Sequence, residues 1–154
     1  MVRSGIALLC AAASVLAAVN LPTRKYLNFA AIKAMAAAAE AESDKRGVHV
    51  TICIVDESGN LLFLEKEDGA KLNTVQFAQR KARHAAIYAT PSKDAADSLK
   101  NGNLSLLASP DAFPNRGGLP IKVDGQTIGA VGVSGATSDV DEAISQAAID
   151  ALSK

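Results

Sequence analysis

Four side chains along one stretch of the sequence have types and a spacing that could together bind a ligand. They are Phe77, Lys81, His84 and Tyr88, which are separated by four, three and four residues. On a helix this spacing places all four on one face. An imidazole can ligate iron, aromatic rings can cover a porphyrin, and an ammonium can pair with a propionate carboxylate. The stripe therefore predicts a candidate haem site with His84 as the iron ligand.

Other interpretations of His84 stay open at this point. A lone histidine on an amphipathic helix is often a boundary residue that binds nothing. It could also exchange protons, together with Lys81, in a metal-independent small-molecule enzyme. A third interpretation is an oligomeric accessory protein without catalysis. The sequence contains no complete nucleophile triad, metal-ligand cluster or nucleotide motif, so it does not define a reaction class.

A second candidate binding element is the tripeptide Arg116-Gly117-Gly118, within a segment rich in Asn, Gly, Ser and Pro. The guanidinium of Arg116 can bind a carboxylate, and the two glycines allow the backbone to approach a ligand closely. The same residues also suit a simple turn. We expect this loop to border the site, because long loops often carry binding residues.

The remaining polar candidates are given structural roles. His49 lies where a strand is predicted to begin, and Asp56 immediately precedes a turn. Asp141 and Glu142 fall in the first turn of a predicted helix, where carboxylates favour the positive end of the helix dipole. We interpret all three carboxylates as groups exposed to solvent.

The elements that position these residues follow from apolar periodicity and turn signals. Asn73 and Ser138 are the expected caps of two helices, and Asp124-Gly125 predicts a two-residue hairpin turn. The pattern predicts α/β (α+β) architecture, with an antiparallel sheet of about four to five strands and helices on both faces. The predicted order is helix 27–45, strand 49–56, strand 61–66, helix 73–89, short helix 93–100, loop 101–120, strand 121–123, strand 126–133 and helix 139–152.

Composition limits the partners. The chain has 154 residues, with 16 basic and 16 acidic side chains, so one domain is expected and no net field attracts nucleic acid. Residues 5–19 form an apolar run after Arg3 that resembles a signal peptide, with cleavage expected near Ala17 or Ala18. This assigns 1–20 to a signal peptide and 21–154 to the mature domain, without a membrane span. Such a protein is secreted or periplasmic if the segment is cleaved, and cytoplasmic otherwise.

Several motifs together resemble the GlcG/HbpS-like family over about residues 27–152. The resemblance implies a profilin-like fold, a tendency to form homo-oligomers, and haem-related or corrinoid-related roles. In the family pattern a hydroxyl residue often stands where this chain has His84. The matching motifs are Ile54-Val55-Asp56 with Gly59, Lys81-Ala82-Arg83-His84-Ala85-Ala86, Gly117-Gly118-Leu119-Pro120-Ile121, Asp124-Gly125, Ile128-Gly129-Ala130-Val131-Gly132-Val133-Ser134-Gly135 and Asp141-Glu142.

Overall fold

The computed structural model describes residues 20–153. The predicted signal peptide therefore lies, apart from Asn20, outside the described residues. The main elements are α1 (Phe29–Arg46), β1 (Thr51–Asp56), β2 (Leu61–Lys66), α2 (Thr74–Tyr88), α3 (Ser92–Lys100), β3 (Gly118–Val123), β4 (Gln126–Ser134) and α4 (Ser138–Asp150). Short 3-10 helices occupy Leu104–Ala108 and Ala151–Ser153. Within the described part of the chain, no helix has both the length and the apolarity to cross a bilayer.

The mixed α and β architecture predicted from the sequence is confirmed. The four strands form one antiparallel sheet in the order β2-β1-β4-β3. Successive residues of β1 point to opposite faces, so Ile52 and Ile54 pack with α1 and α4, whereas Cys53 and Val55 pack with α2. Both faces of the sheet are thus covered by helices, as the apolar run in β1 indicated.

The α2 face is packed unusually tightly because both surfaces are built from small residues. A Cβ added at Gly132 would lie 2.3 Å from the carbonyl oxygen of Ala78 and 2.5 Å from the amide nitrogen of Ala82. A Cβ at Gly118 would lie 2.2 Å from the carbonyl oxygen of Lys81. The absence of side chains at these strand glycines therefore lets α2 pack close to the sheet. This close packing determines the position of Phe77, Lys81, His84 and Tyr88 on α2.

The turn between β3 and β4 matches its prediction. Asp124 and Gly125 both have positive φ, 51° and 78°, which is the backbone of a two-residue type I′ hairpin. The start of β3 differs from the prediction. The strand begins at Gly118, not at Ile121, because Gly118 pairs with Gly132 and Pro120 is tolerated on an edge strand.

Of the two predicted helix caps, one lies at the predicted position and the other is displaced by one residue. Asn73 occupies the N-cap position of α2, but its side chain makes no capping hydrogen bond; the Thr74 hydroxyl bonds instead to the Lys71 carbonyl and to Thr51. Thr137, not Ser138, is the N-cap residue of α4, and its side chain also makes no capping bond. The Asp141 carboxylate, one turn further along, accepts from the N–H of Ala136, which precedes the N-cap residue.

Candidate functional site

The predicted stripe on α2 is present, but it faces the loop segment 110–117 and not open solvent. Lys81 and His84 are 1% and 2% exposed, and Phe77 and Tyr88 are partly buried. The ring of Phe77 meets Phe113 edge to face, with centroids 5.3 Å apart. The structure therefore brings all four residues together beneath a cover.

His84 is held by one hydrogen bond and one stacked ring. The Phe113 backbone N–H donates to Nδ1 over 3.1 Å, and the Tyr88 ring stacks at a centroid distance of 4.8 Å. Burial lowers the pKa of His84, against smaller opposing effects of the Asp94 charge and the Asp111 backbone. Because Nδ1 accepts a hydrogen bond, the neutral ring carries its proton on Nε2. Nε2 is buried and has no partner among residues 20–153.

Lys81 forms a buried ion pair that the sequence did not predict. Its Nζ donates to Asp141 Oδ2 over 2.8 Å and to the Val133 carbonyl over 2.9 Å. Asp141 Oδ1 accepts from the Ala136 N–H over 2.9 Å. Burial lowers the pKa of Lys81 and raises that of Asp141, while the two opposite charges counteract both shifts.

The interpretation of Asp141 as a solvent-exposed capping residue was therefore wrong. Asp141 is 2% exposed because it shares the inward face of α4 with Ile144, Ser145 and Ala148. That helical spacing was the signal that could have placed it in the interior. Glu142 was also taken as solvated, yet it is only partly exposed and pairs with Arg116.

Hydrogen bonds and ion pairs hold the tripeptide Arg116-Gly117-Gly118 against α4 and α3. Arg116 Nη2 donates to Glu142 Oε1 over 2.8 Å, and its Nη1 pairs with Asp139. The Gly117 carbonyl accepts from Ser145 Oγ over 2.8 Å. The Gly118 N–H donates to Ser92 Oγ, also over 2.8 Å. Gly117 has a φ of 119°, and a Cβ there would lie 2.9 Å from Lys81 Nζ. Of the tripeptide, only the Arg116 side chain, 34% exposed, is within reach of a ligand from solvent.

A small polar cleft lies where α2 meets the start of α4. Its volume is about 180 Å³, and the Lys81–Asp141 pair forms part of its wall. A neighbouring cleft of about 300 Å³ lies beside Arg116. The polar residues of the first cleft include several that sequence reasoning missed, namely Lys71, Asn73, Thr74, Asn115, Ser134 and Ser138.

Among the described residues there is neither a cluster of metal-binding side chains nor a reactive thiol. Residues 20–153 contain no cluster of three or more His, Cys, Asp or Glu side chains that could hold a metal ion. Burial raises the pKa of Cys53 to about 12, so its thiol is unreactive. His49 is exposed and lies against Gly69, consistent with its structural interpretation.

Comparison with known proteins identifies the family. The family model described as "Haem degrading protein HbpS-like" matches residues 27–150. The chain belongs to the HbpS-like family. Among HbpS-like relatives, Protein GlcG of Escherichia coli K12 is 35% identical over 112 residues, which cover 73% of this chain and 84% of GlcG.

Solved structures agree with this assignment. A double mutant of Streptomyces reticuli HbpS is 31% identical and superposes with a TM-score of 0.80, covering 92% of this chain and 98% of that one. A PduOC:haem complex is 27% identical with a TM-score of 0.77, covering 82% and 95%. The HbpS-like fold is thus shared along nearly the whole described chain, and one relative with this fold has been solved with haem.

Proposed function

We propose that this HbpS-like protein binds haem and that His84 Nε2 is the iron ligand. The observation that carries the proposal is the buried Nε2, which has no hydrogen-bond partner among the described residues. A buried polar atom of this kind costs free energy unless another group satisfies it. In the closed form this atom carries the ring proton, so iron becomes the partner that the family's chemistry suggests once the proton lies on Nδ1.

The side chains around His84 fit such a group. Tyr88 and Phe77 offer aromatic rings that a porphyrin could contact. Arg116 is a partly exposed cation, and a haem propionate could replace Asp139 or Glu142 as its partner. Lys81, by contrast, already has a carboxylate partner in Asp141. Bound haem would supply an iron centre for ligand binding or redox chemistry.

Access to His84 requires the loop 110–117 to move. His84 is 2% exposed, and it does not line the cleft of about 180 Å³ beside the stripe. The cover is held by the Phe113–His84 hydrogen bond, by a bond from the Tyr88 hydroxyl to the Pro110 carbonyl, and by the Arg83–Asp111 pair. The last two are exposed contacts, so the cover is held weakly at this end.

Loop closure and ligation through Nε2 exclude each other. A neutral imidazole that offers the Nε2 lone pair must carry its proton on Nδ1. A protonated Nδ1 cannot accept the Phe113 N–H. The hydrogen bond from Phe113 therefore stabilises the tautomer of His84 that cannot bind iron through Nε2. When this hydrogen bond breaks, the tautomer that can bind iron becomes available.

A haemin titration of the untagged protein tests the proposal. The chain has only two histidines, so His49→Ala is a matched control for His84→Ala. We expect a saturable shift of the Soret band in the wild type and in His49→Ala, with at least about tenfold weaker binding in His84→Ala. A free-haemin blank corrects for aggregation. The absence of saturable binding, or equal affinity in all three proteins, would contradict the proposal.

A further inference from the structure

The short 3-10 helix Leu104–Ala108 carries apolar side chains that the rest of the described chain leaves uncovered. None of its five residues is buried, and Leu104 and Leu107 are 68% and 66% exposed. A 3-10 helix has three residues per turn, so these two leucines lie on the same side of it. Neighbouring exposed apolar side chains of this kind mark a contact surface more often than isolated ones do.

This two-leucine face lies next to the proposed haem site. One residue separates Ala108 from Pro110, whose carbonyl accepts a hydrogen bond from the Tyr88 hydroxyl. The Tyr88 ring stacks on His84 at a centroid distance of 4.8 Å. Since consecutive Cα atoms are about 3.8 Å apart, the Cα atoms of Leu107 and Pro110 are separated by no more than about 11 Å. The 3-10 helix therefore borders the site on the side of its cover.

Without this face, the proposed site has few large apolar side chains. Ligand pockets bury most of the ligand surface, largely against hydrophobic and aromatic side chains. Around His84, the large apolar groups are Phe77, Tyr88 and Phe113. Phe113 belongs to the cover, and its N–H must leave His84 before Nε2 can bind iron. A porphyrin at His84 therefore needs a further apolar wall once the cover opens.

We infer that Leu104 and Leu107 supply this wall and contact the porphyrin of haem bound at His84. The inference rests on the proposed haem function and adds the residues that position the macrocycle. The 3-10 helix has the sequence LSLLA, without a charged side chain, so it suits the apolar ring and not the propionates. Removing the two leucines and the porphyrin face from water together stabilises the complex.

The direct test is the ring-current shift that a bound porphyrin causes in nearby methyl groups. Gallium(III) protoporphyrin IX, a diamagnetic counterpart of haemin, is titrated into protein with labelled leucine methyl groups. We expect saturable upfield shifts at Leu104 and Leu107, because their methyl groups lie against the ring face. Leu72, which is 96% exposed in the loop before α2, is the control and should not shift. Ring currents act over short distances, so such shifts report contact.

Haemin affinity gives a second, independent readout. The double variant Leu104→Ser/Leu107→Ser should bind haemin about tenfold more weakly, because two apolar contacts are lost. Leu72→Ser should bind as tightly as the wild type. These substitutions change exposed side chains, so all three proteins should fold. The Soret maximum of the bound form should be the same in all of them, because His84 is unchanged.

The outcomes separate this inference from the proposed function. A wild type without saturable haemin binding overturns the proposed function, and the inference with it. Saturable binding with unshifted methyl groups at Leu104 and Leu107, or with equal affinity in the double variant, overturns the inference alone. A double variant with a smaller oligomeric state in sedimentation velocity and unchanged haemin affinity would show that the leucines cover a second copy of the chain, which also overturns it.

Discussion

At His84, burial and one backbone amide together determine the state of the imidazole. The amide of Phe113 needs an acceptor at Nδ1, and burial lowers the pKa of the ring. Both effects favour the neutral form, which is the form that a metal ion requires. The same hydrogen bond leaves the ring proton on Nε2, so the proposed ligation through Nε2 requires the cover to be released and the proton to move to Nδ1.

This environment predicts a pH dependence of stability. The pKa of His84 is lowered in the folded state, whereas an unfolded histidine titrates near about 6.5. The unfolded state therefore binds more protons below that pH, and the free energy of unfolding falls as pH drops. We expect urea denaturation to show a loss of up to about 1.4 kcal/mol per pH unit below pH 6.5. His84→Gln should reduce that loss and His49→Gln should not; equal slopes in all three proteins would contradict the assignment.

The Lys81–Asp141 pair makes a second prediction at this scale. Lys81→Met leaves an unpaired buried carboxylate, so we expect it to lower the free energy of unfolding by about 3–5 kcal/mol. Adding Asp141→Asn removes that charge and should restore part of the loss. Chemical denaturation of both variants measures the difference. A single variant as stable as the wild type would show that the pair is not buried in solution.

The sequence indicated some of these residues and not others. The spacing of Phe77, Lys81, His84 and Tyr88 located the stripe correctly, because helical periodicity is local. The partner of Lys81 was missed because Asp141 lies 60 residues away and a carboxylate near a helix start has an ordinary explanation. The loop 101–120 was expected to border the site, but the hydrogen bond from the Phe113 N–H to His84 was missed, because a single Phe113 in a loop carries no periodic signal.

Among the elements, the loop 110–117 bears most directly on the proposed haem site. It contacts α2 through Pro110, Asp111 and Phe113, and Asp111 has a positive φ of 59°, which aspartate tolerates. The Asp111 carboxylate pairs with Arg83 at 2.6 Å, and the Arg83 side chain is 43% exposed. The contacts of Pro110 and Asp111 are thus exposed and weak, as expected of a cover that opens.

Loosening this cover should strengthen haem binding. Asp111→Asn removes the ion pair with Arg83 and keeps a residue that tolerates positive φ, so the open loop becomes more populated. Apparent affinity rises with the fraction of the competent state, and we expect about a twofold to fivefold gain in haemin titrations. Asp124→Asn, at a positive-φ residue of the β3–β4 turn, is the matched control. Equal or lower affinity in Asp111→Asn would argue against a closing role for the loop.

The contact between α2 and the sheet supplies a prediction about packing. Gly132→Ala places a Cβ against the backbone of α2, 2.3 Å from the Ala78 carbonyl, so we expect a loss of about 3 kcal/mol or more. Gly125→Ala has no atom within 4 Å but keeps a φ of 78°, and should cost only about 1–2 kcal/mol. Thermal or urea unfolding compares the two. A Gly132→Ala protein that is the more stable variant would contradict the packing described.

Across the whole molecule, the sequence predicted the order and type of the elements well. The hairpin at Asp124-Gly125 and the double-sided burial of β1 rest on local chemistry, and both were found. Asn73 was found at the N-cap position of α2, whereas the N-cap of α4 lies at Thr137 and not at Ser138. The extent of β3 depends on its pairing with β4, and there the prediction was wrong. Signal-peptide cleavage, the resulting location and homo-oligomer formation remain expectations from the N-terminal sequence and the family resemblance.

The helix α2 holds both His84 and Lys81 of the buried ion pair. His84 lies under the loop 110–117, while Lys81 and Asp141 line the polar cleft beside α4. The positions of His84 and Lys81 depend on α2, which the sheet glycines hold close to β4 and β3.

The most direct test of the central claim is a change of the axial ligand. His84→Met and His49→Met would be loaded with haemin, and their electron paramagnetic resonance and near-infrared spectra compared with the wild type. Methionine ligates haem iron differently from histidine, so the account predicts an altered spectrum in His84→Met and an unchanged one in His49→Met. Identical spectra in all three proteins would show that His84 is not the iron ligand.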